Sequence, residues 1–254
     1  MIMEEIVYKK PESLTDRIFS YCQGCGHSTV NKLVAEVIDE LGLRESTIGV
    51  APVGCAVFAY DFWDFDVTEA PHGRTPVVAT SIKRILPDRL VFSYQGDGDL
   101  VSIGMAETIH TANRGENITI IFINNTNYGM TGGQMAPTTL VDQVTTTSPD
   151  GRTIEAYGYP IRMLELLAPL QGVTYLERVK VTNAASILKT KKAIKKAFSI
   201  QLEGKGFSMV EVLSACPPNW KKEPIAAHKW IDETVSSYYN LGVIKDETLR
   251  EEQV

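Results

Sequence analysis

RLVFSYQGDGDLVSIGMAETIHTANRGENITIIFINNTNYGM, residues 89–130, decides the fold class of this chain. RLVFSY (89–94) reads as a strand, LVSIGMAETIHTANR (100–114) carries apolar residues at helical spacing, and NITIIFIN (117–124) is a continuous apolar strand. A strand buried on both faces belongs to a parallel sheet covered by helices, and the crossover between parallel neighbours is right-handed. Both strands therefore end at the same edge of the sheet. At the first end stands QGDGDL (95–100), at the second INNTNYGM (123–130), so Asn125 follows Asp97 by 28 residues, one helix and one strand later. Gly96 and Gly98 let a phosphate approach the backbone, and the helix that follows offers free N–H groups and a positive dipole end. Mg²⁺ takes hard oxygen ligands and completes its shell from phosphates and water. The Asp97 carboxylate, the Asn125 side-chain oxygen and the Asn127 carbonyl are the protein's candidates for that shell. Glycines around one aspartate also suit an ordinary strand-to-helix turn; the second motif at the matching distance is what points to a site. A dinucleotide fingerprint would need a third glycine where Val101 stands.

Outward from this unit the alternation continues. STVNKLVAEVIDELG (28–42) reads as a helix capped by Ser28 and ended by Gly42, and TIGVAPV (47–53) as a strand. Residues 74–86 read as a helix between Pro76 and Pro87, 173–181 as a strand, about 184–203 as a lysine-rich helix, and 207–213 as a last core strand. Residues 125–160, rich in Thr, Gly, Pro and Asn, read as a long ordered loop over a site. The expected architecture is one α/β domain over 1–254, with an N-terminal loop at about 15–28 and a C-terminal tail from about 217 to 254 in which AHKWIDETVSSYY forms a helix. Net charge is −6, which argues against nucleic acid or an anionic membrane as the main partner. Neither a signal peptide nor a membrane-length apolar run is visible, so the expected compartment is the cytoplasm, where thiols stay reduced.

That expectation directs attention to the four cysteines. YCQGCGHS (21–28) holds Cys22 and Cys25 in a C-x-x-C pair, while Cys55 in PVGCAV and Cys216 in SACPPN each follow a strand. Four thiolates suit either a [4Fe–4S] cluster or a Zn²⁺ ion. One pair with two distant single thiols fits the cluster better than zinc, which favours paired C-x-x-C knuckles. Cys55 in its apolar setting is also compatible with a buried hydrophobe. KTKKAIKK (189–196) would suit docking of an acidic protein, though the solvated face of an amphipathic helix is the commoner meaning of such a run.

The spacing of GDG at 96–98 and NN at 124–125 resembles the thiamine diphosphate signature. CQGCGH (22–27), GCAV (54–57), HGR (72–74), GDGD (96–99), NN (124–125) and TGGQ (131–134) occur in the order found in the β subunits of 2-oxoacid:ferredoxin oxidoreductases, which the chain resembles from residue 20 to 217. The resemblance implies a thiamine diphosphate-binding fold with Mg²⁺, and a [4Fe–4S] cluster on Cys22, Cys25, Cys55 and Cys216. It implies that Val53, Gly54, Cys55 and Ala56 pass close to thiamine diphosphate, and that Gly98, Asp99, Gly129 and Met130 lie along its diphosphate or aminopyrimidine. The implied activity is oxidative decarboxylation of a 2-oxoacid with coenzyme A, with electrons passed to ferredoxin. Other subunits are implied too, one of them supplying the glutamate that activates the aminopyrimidine. His72 is the candidate orienting or proton-handling group and His27 the second, while His110 and His228 read as structural. The apolar stretch AVFAYDFWDF (56–65) either lines an acyl pocket, which favours 2-oxoisovalerate over 2-oxoglutarate or pyruvate, or packs on a neighbouring subunit. A non-oxidative thiamine decarboxylase or ligase is the competing class.

Overall fold

The computed structural model describes residues 8–249; the ends of both tails, 1–7 and 250–254, lie outside the described residues. Nine strands occur: β1 (Thr47–Ala51), β2 (Asp66–Glu69), β3 (Leu90–Gly96), β4 (Thr119–Asn124), the short pair β5 (Asn127–Tyr128) and β6 (Gln134–Met135), β7 (Val173–Lys180), β8 (Phe207–Leu213) and β9 (Gly242–Asp246). Seven of them form one sheet in the order β2-β1-β3-β4-β8-β7-β9, parallel throughout except for the β7–β9 edge.

The apolar runs explain the layers. Every residue of β4 and β8 is buried, as expected for central strands covered on both faces. One face packs against the helices Gly26–Leu41 and Ala184–Leu202 through Val30, Val34, Phe92, Tyr94, Ile194 and Phe198. The other packs against Thr75–Ile85, Met105–Asn113 and Met163–Leu167 through Val91, Leu100, Phe122, Leu164 and Met209. The helix Ala184–Leu202 starts at a capping box, Asn183 with Ser186, which satisfies two otherwise free backbone donors. Three lysines of its basic run are taken up inside the chain: Lys191 pairs with Glu36 and Glu40, Lys195 with Glu40, and Lys196 with Asp246. Lys189 and Lys192 remain exposed.

Several sequence expectations need correction. The first helix begins at Gly26, two residues before Ser28, and its cap position is Cys25, which makes no side-chain cap bond. The helix expected over 100–114 is broken: a wide π turn spans Gly98–Ile103, and a regular helix resumes only at Met105. Gly104 causes the break, because its backbone lies against Gly73, whose carbonyl would be 2.8 Å from any Cβ there. The tail helix is present from Pro224 to Tyr238, widened into a π turn at Ile231–Val235, and it is followed by the edge strand β9, which sequence pattern did not suggest. The 56–65 stretch does not chiefly line a pocket or await a neighbour. Phe62 and Trp63 are buried in the chain's own core, with Trp63 against Phe65, Phe92 and Tyr94, and Phe62 against Phe19 and Tyr21. The N-terminal segment folds back over these rings through Thr15 N–H to Phe62 O at 2.8 Å and Asp64 N–H to Ser13 O at 2.9 Å.

Behind the carboxyl edge of β4 and β8 lies a charge network in which Arg178 and Glu211 are fully buried and Glu165 is partly exposed. The Arg178 guanidinium donates to Glu211 at 2.7 Å, to both oxygens of Glu165 at 2.7 and 2.6 Å, and to the Asn240 carbonyl at 3.1 Å. Glu211 also accepts from the Asn124 amide at 2.7 Å. Burial pushes the Glu211 carboxyl up and Arg178 opposes that shift. Removing one member leaves the others buried without a counter-charge, a loss of about 3–5 kcal/mol. Arg178→Met is expected to lose about that much unfolding free energy in urea titrations, and adding Glu211→Gln to it is expected to return part of the loss.

Candidate functional site

Four loops leave the same edge of the sheet, after β1, β2, β3 and β4, and enclose one cleft with the start of the Gly26–Leu41 helix. Its lining is His27, Val53, Gly54, Cys55, Ala56, His72, Gly96 to Asp99, Asn125 and Asn127 to Thr131, with a cavity of about 110 Å³. Pockets that enclose a whole small molecule run to about 300–1,000 Å³, larger than this cleft.

The oxygen cluster expected from the 89–130 reading is present. Asp97 is buried at the end of β3, accepting from Thr138 Oγ1 at 2.6 Å and from Gly98 N–H at 2.9 Å, and burial raises its carboxyl to about 7. The Asn125 amide meets three acceptors: Asp97 Oδ1 at 3.2 Å, Asn127 O at 2.6 Å and Asn127 Oδ1 at 3.1 Å. With its nitrogen inward, Asn125 donates to all three. With its oxygen inward, four oxygens converge, with the Asn127 N–H 3.4 Å from the Asn125 oxygen, an arrangement that a hard cation would stabilise. The oxygens present fit Mg²⁺, which Asp97, Asn125 and Asn127 would hold.

The loop is held in this shape from behind. Thr126 adopts φ +58°, a left-handed conformation costly for a β-branched residue. Its N–H bonds Asn124 Oδ1 at 3.1 Å, its carbonyl accepts from Thr139 Oγ1 at 2.6 Å, and its hydroxyl accepts from Gln143 at 2.9 Å. Thr138 and Thr139 are set in turn by Arg152, whose guanidinium donates to the carbonyls of Ala136, Pro137, Thr139, Tyr157, Gly158 and Tyr159.

Gly96 and Gly54 face open space, and Gly54 has φ +109°, so backbone is accessible at both positions. Gly98 has a different use: a Cβ there would lie 2.4 Å from the Tyr128 ring. Asp99 lies in the lining, but its carboxylate is turned inward to bind His72 Nδ1, Gly73 N–H at 2.7 Å and the Gln95 amide at 2.7 Å. It orients His72, which lines the cleft. Val53 and Met130 are both well exposed on the rim. His27 is buried, with Nδ1 2.6 Å from Tyr94 Oη and its ring stacked on Tyr21. Burial lowers it to about 4, so it is neutral near pH 7. His228 bonds the Gly24 carbonyl at 2.9 Å and pins the tail to the Cys22–Cys25 turn. His110 lies on the Met105–Asn113 helix, outside the cleft.

The cysteines share this neighbourhood. A Cβ on Gly129 would lie 3.3 Å from Cys55 Sγ and 3.8 Å from Cys216 Sγ, so these two thiols flank the thread of backbone that follows Asn127. Cys22 and Cys25 close a turn, Cys25 N–H to Cys22 O at 3.0 Å. Burial drives Cys25 up to about 12 and Cys55 to about 11, and the other cysteines add repulsion to both. Among the described residues no three His, Cys, Asp or Glu side chains are spaced to chelate a single ion. A set of four sulfur donors is one that a cubane takes.

Tyr94, Asn31, Thr138 and Asn219 join the site without any signal in the sequence. Asn31 bonds Tyr94 Oη at 3.2 Å, and Asn219 bonds the Gly129 carbonyl at 2.8 Å and Cys216 Sγ at 3.3 Å. Each sits in an otherwise ordinary strand, helix or turn.

Comparison with known proteins agrees with this geometry. The family described as thiamine pyrophosphate enzyme, C-terminal TPP binding domain, matches residues 53–212. The ketoisovalerate oxidoreductase subunit VorA of Methanothermobacter thermautotrophicus is 45% identical over 98% of this chain and 54% of its own length. The chain thus spans about half the length of that relative. The 2-oxoglutarate synthase subunit KorB of Methanocaldococcus jannaschii is 34% identical over 84% of this chain and 77% of its own length. Among solved structures, 2-oxoglutarate:ferredoxin oxidoreductase from Magnetococcus marinus superposes with a TM-score of 0.75 at 23% identity, covering 97% of this chain and 91% of that one, which establishes the shared fold. The chain belongs to the family of thiamine diphosphate-binding subunits of the 2-oxoacid oxidoreductases.

Proposed function

We propose that this chain is the thiamine- and cluster-holding subunit of a 2-oxoacid:ferredoxin oxidoreductase that decarboxylates its substrate oxidatively with coenzyme A. The observation that carries the reading is the meeting of two donor sets at one loop. The oxygens of Asp97, Asn125 and Asn127 suit Mg²⁺, and the thiols of Cys55 and Cys216 flank Gly129 two residues further on. When bound, thiamine diphosphate would supply the carbanion chemistry of decarboxylation, and a [4Fe–4S] cluster on Cys22, Cys25, Cys55 and Cys216 would supply a one-electron acceptor beside it.

The chain's own residues perform the supporting tasks. Asp97, Asn125 and Asn127 hold the Mg²⁺ that neutralises the diphosphate. Gly54 and Gly96 leave room for it, with Val53, Ala56, Gly98, Gly129 and Met130 forming the rest of the wall. Asp99 fixes the Nδ1 side of His72, so that the other ring nitrogen is available to orient substrate or handle a proton. The lining carries two aspartates and no glutamate, so the group that activates the aminopyrimidine comes from another subunit, as do the walls missing from the small cavity. We read residues 1–254 as a single thiamine domain, with an N-terminal loop at about 15–28 and a C-terminal tail from about 217 to 254, of which the described part, to residue 249, packs on the body of the domain. Among the described residues no helix is long and apolar enough to cross a membrane, and reduced thiols suit the cytoplasm.

For the substrate we favour 2-oxoisovalerate, with 2-oxoglutarate and pyruvate as alternatives. The support is the 45% identity to a ketoisovalerate oxidoreductase subunit against 34% to a 2-oxoglutarate synthase subunit, and a lining whose only basic side chains are His27 and His72. A dicarboxylate would gain from a permanent cation there.

Asp97→Ala is expected to weaken Mg²⁺-dependent thiamine diphosphate binding at least about 100-fold, or about 2.7 kcal/mol, in calorimetric titrations of the anaerobically purified chain, and chelation of Mg²⁺ to abolish wild-type binding. Iron and sulfide analysis of that preparation is expected to give about four of each per chain; a colourless, iron-free wild type would refute the cluster, and Cys216→Ser is expected to lose most of the iron. Assembled with its native partner subunits, the chain is expected to reduce ferredoxin fastest with 2-oxoisovalerate and coenzyme A among a panel of 2-oxoacids, and to be inactive alone. If no 2-oxoacid supports reduction, the proposed activity fails.

A further inference from the structure

The sulfur of Cys216 accepts a hydrogen bond from the Asn219 side-chain amide at 3.3 Å. The Asn219 Nδ2 group also donates to the Gly129 carbonyl at 2.8 Å, and its side chain is wedged against Gly133, where a Cβ would meet Asn219 Cβ at 2.9 Å. The next residue adds a second tie, Trp220 Nε1–H to the Asn125 carbonyl at 3.1 Å. A four-residue turn of helix, Pro217–Trp220, thus clasps both the thiolate that precedes it and the loop that carries the oxygen cluster. Pro217 and Pro218 stiffen the start of that turn, and the Trp220 and Trp230 rings, 4.5 Å apart between centroids, brace its end.

We propose that Asn219 is a positioning residue that sets the reduction potential of the iron–sulfur cluster and locks its Cys216 corner to the thiamine-facing loop at Gly129. The inference rests on the cluster reading given above and adds to it a residue and a property. Reduction adds one electron to the cluster, and part of that charge resides on the ligand sulfurs. N–H donors to those sulfurs stabilise the reduced form more than the oxidised one and raise the potential. The amide donor makes Cys216 a corner where added charge is accommodated. That corner lies beside Gly129, two residues beyond the oxygen cluster, so the face carrying this donor is turned to the place where electrons would arise. The same amide makes both bonds, which prevents the loop from moving away from the cluster without breaking the donor to sulfur.

The test is an anaerobic redox titration, followed by electron paramagnetic resonance, of the full chain carrying its cluster, with dithionite as the electron donor. Asn219→Leu removes the amide; Asn219→Asp keeps its shape while replacing the donor with an acceptor and a negative charge. Both are expected to lower the equilibrium constant for cluster reduction, Asn219→Leu by about tenfold, which is about 59 mV for a one-electron couple, and Asn219→Asp by more. Iron and sulfide content are expected to match the wild type, and Asn219→Gln to recover part of the shift. A loaded cluster whose potential is unchanged in both Leu and Asp variants overturns the role of Asn219 while leaving the cluster reading intact. A wild-type chain that holds no cluster overturns both. Loss of cluster in Asn219→Leu with a normal potential in Asn219→Asp would mean that the residue only holds the fold, and would also overturn the proposal.

Discussion

The Asn124 side chain joins the two halves of this structure. Its amide nitrogen donates to the buried carboxylate of Glu211, and its oxygen accepts from the N–H of Thr126. On one side it completes the Arg178–Glu211–Glu165 network, which the low dielectric around β4, β7 and β8 makes sensitive to any missing partner. On the other side it forces the chain to turn sharply at the end of β4. That turn puts Thr126 in a left-handed conformation and aims Asn125 and the Asn127 carbonyl back toward Asp97. A buried charge network and a cation-ready loop are thus two ends of one hydrogen-bonded chain, and the strain at Thr126 is held by the rigidity behind it.

Electrostatics at the edge of the sheet follow from burial. Asp97 and the Cys25 and Cys55 thiols are all shifted toward their neutral forms, because each is taken out of water near groups of the same potential sign. In the bare protein this crowding of acids is unfavourable. On the proposed reading cations would relieve it, Mg²⁺ at the oxygens and iron at the sulfurs. The edge itself is where open parallel sheets place ligands, because the helix N-termini and strand-end loops of successive units converge there.

Much of the site was legible because it depends on register along one β-α-β unit. Once strand, helix and strand are recognised, the 28-residue interval between Asp97 and Asn125 brings them to adjacent strand ends without further information. Cys55 and Cys216, each directly after a strand, follow by the same argument. Side-chain direction was not legible. Asp99 lines the cleft as its place in the loop suggested, and its carboxylate bonds His72, Gly73 and Gln95, which sequence did not indicate. The aromatic run at 56–65 looked like a pocket wall, and mostly became core because the N-terminal segment folds across it.

The sequence by itself determined the sheet, the edge at which the site lies and the chemical character of its donors, since these depend on hydrophobic period, strand spacing and residue type. Only the tertiary structure decided how the site is held: the Arg152 guanidinium gathering the carbonyls of 136–159, the clasp from Asn219 and Trp220, and the antiparallel strand β9 beside Arg178. Those contacts join residues up to about a hundred positions apart through single polar side chains, with no periodic pattern to announce them. Their position follows from how loops pack on a finished sheet, and a hydrogen bond of that kind leaves no trace in local sequence.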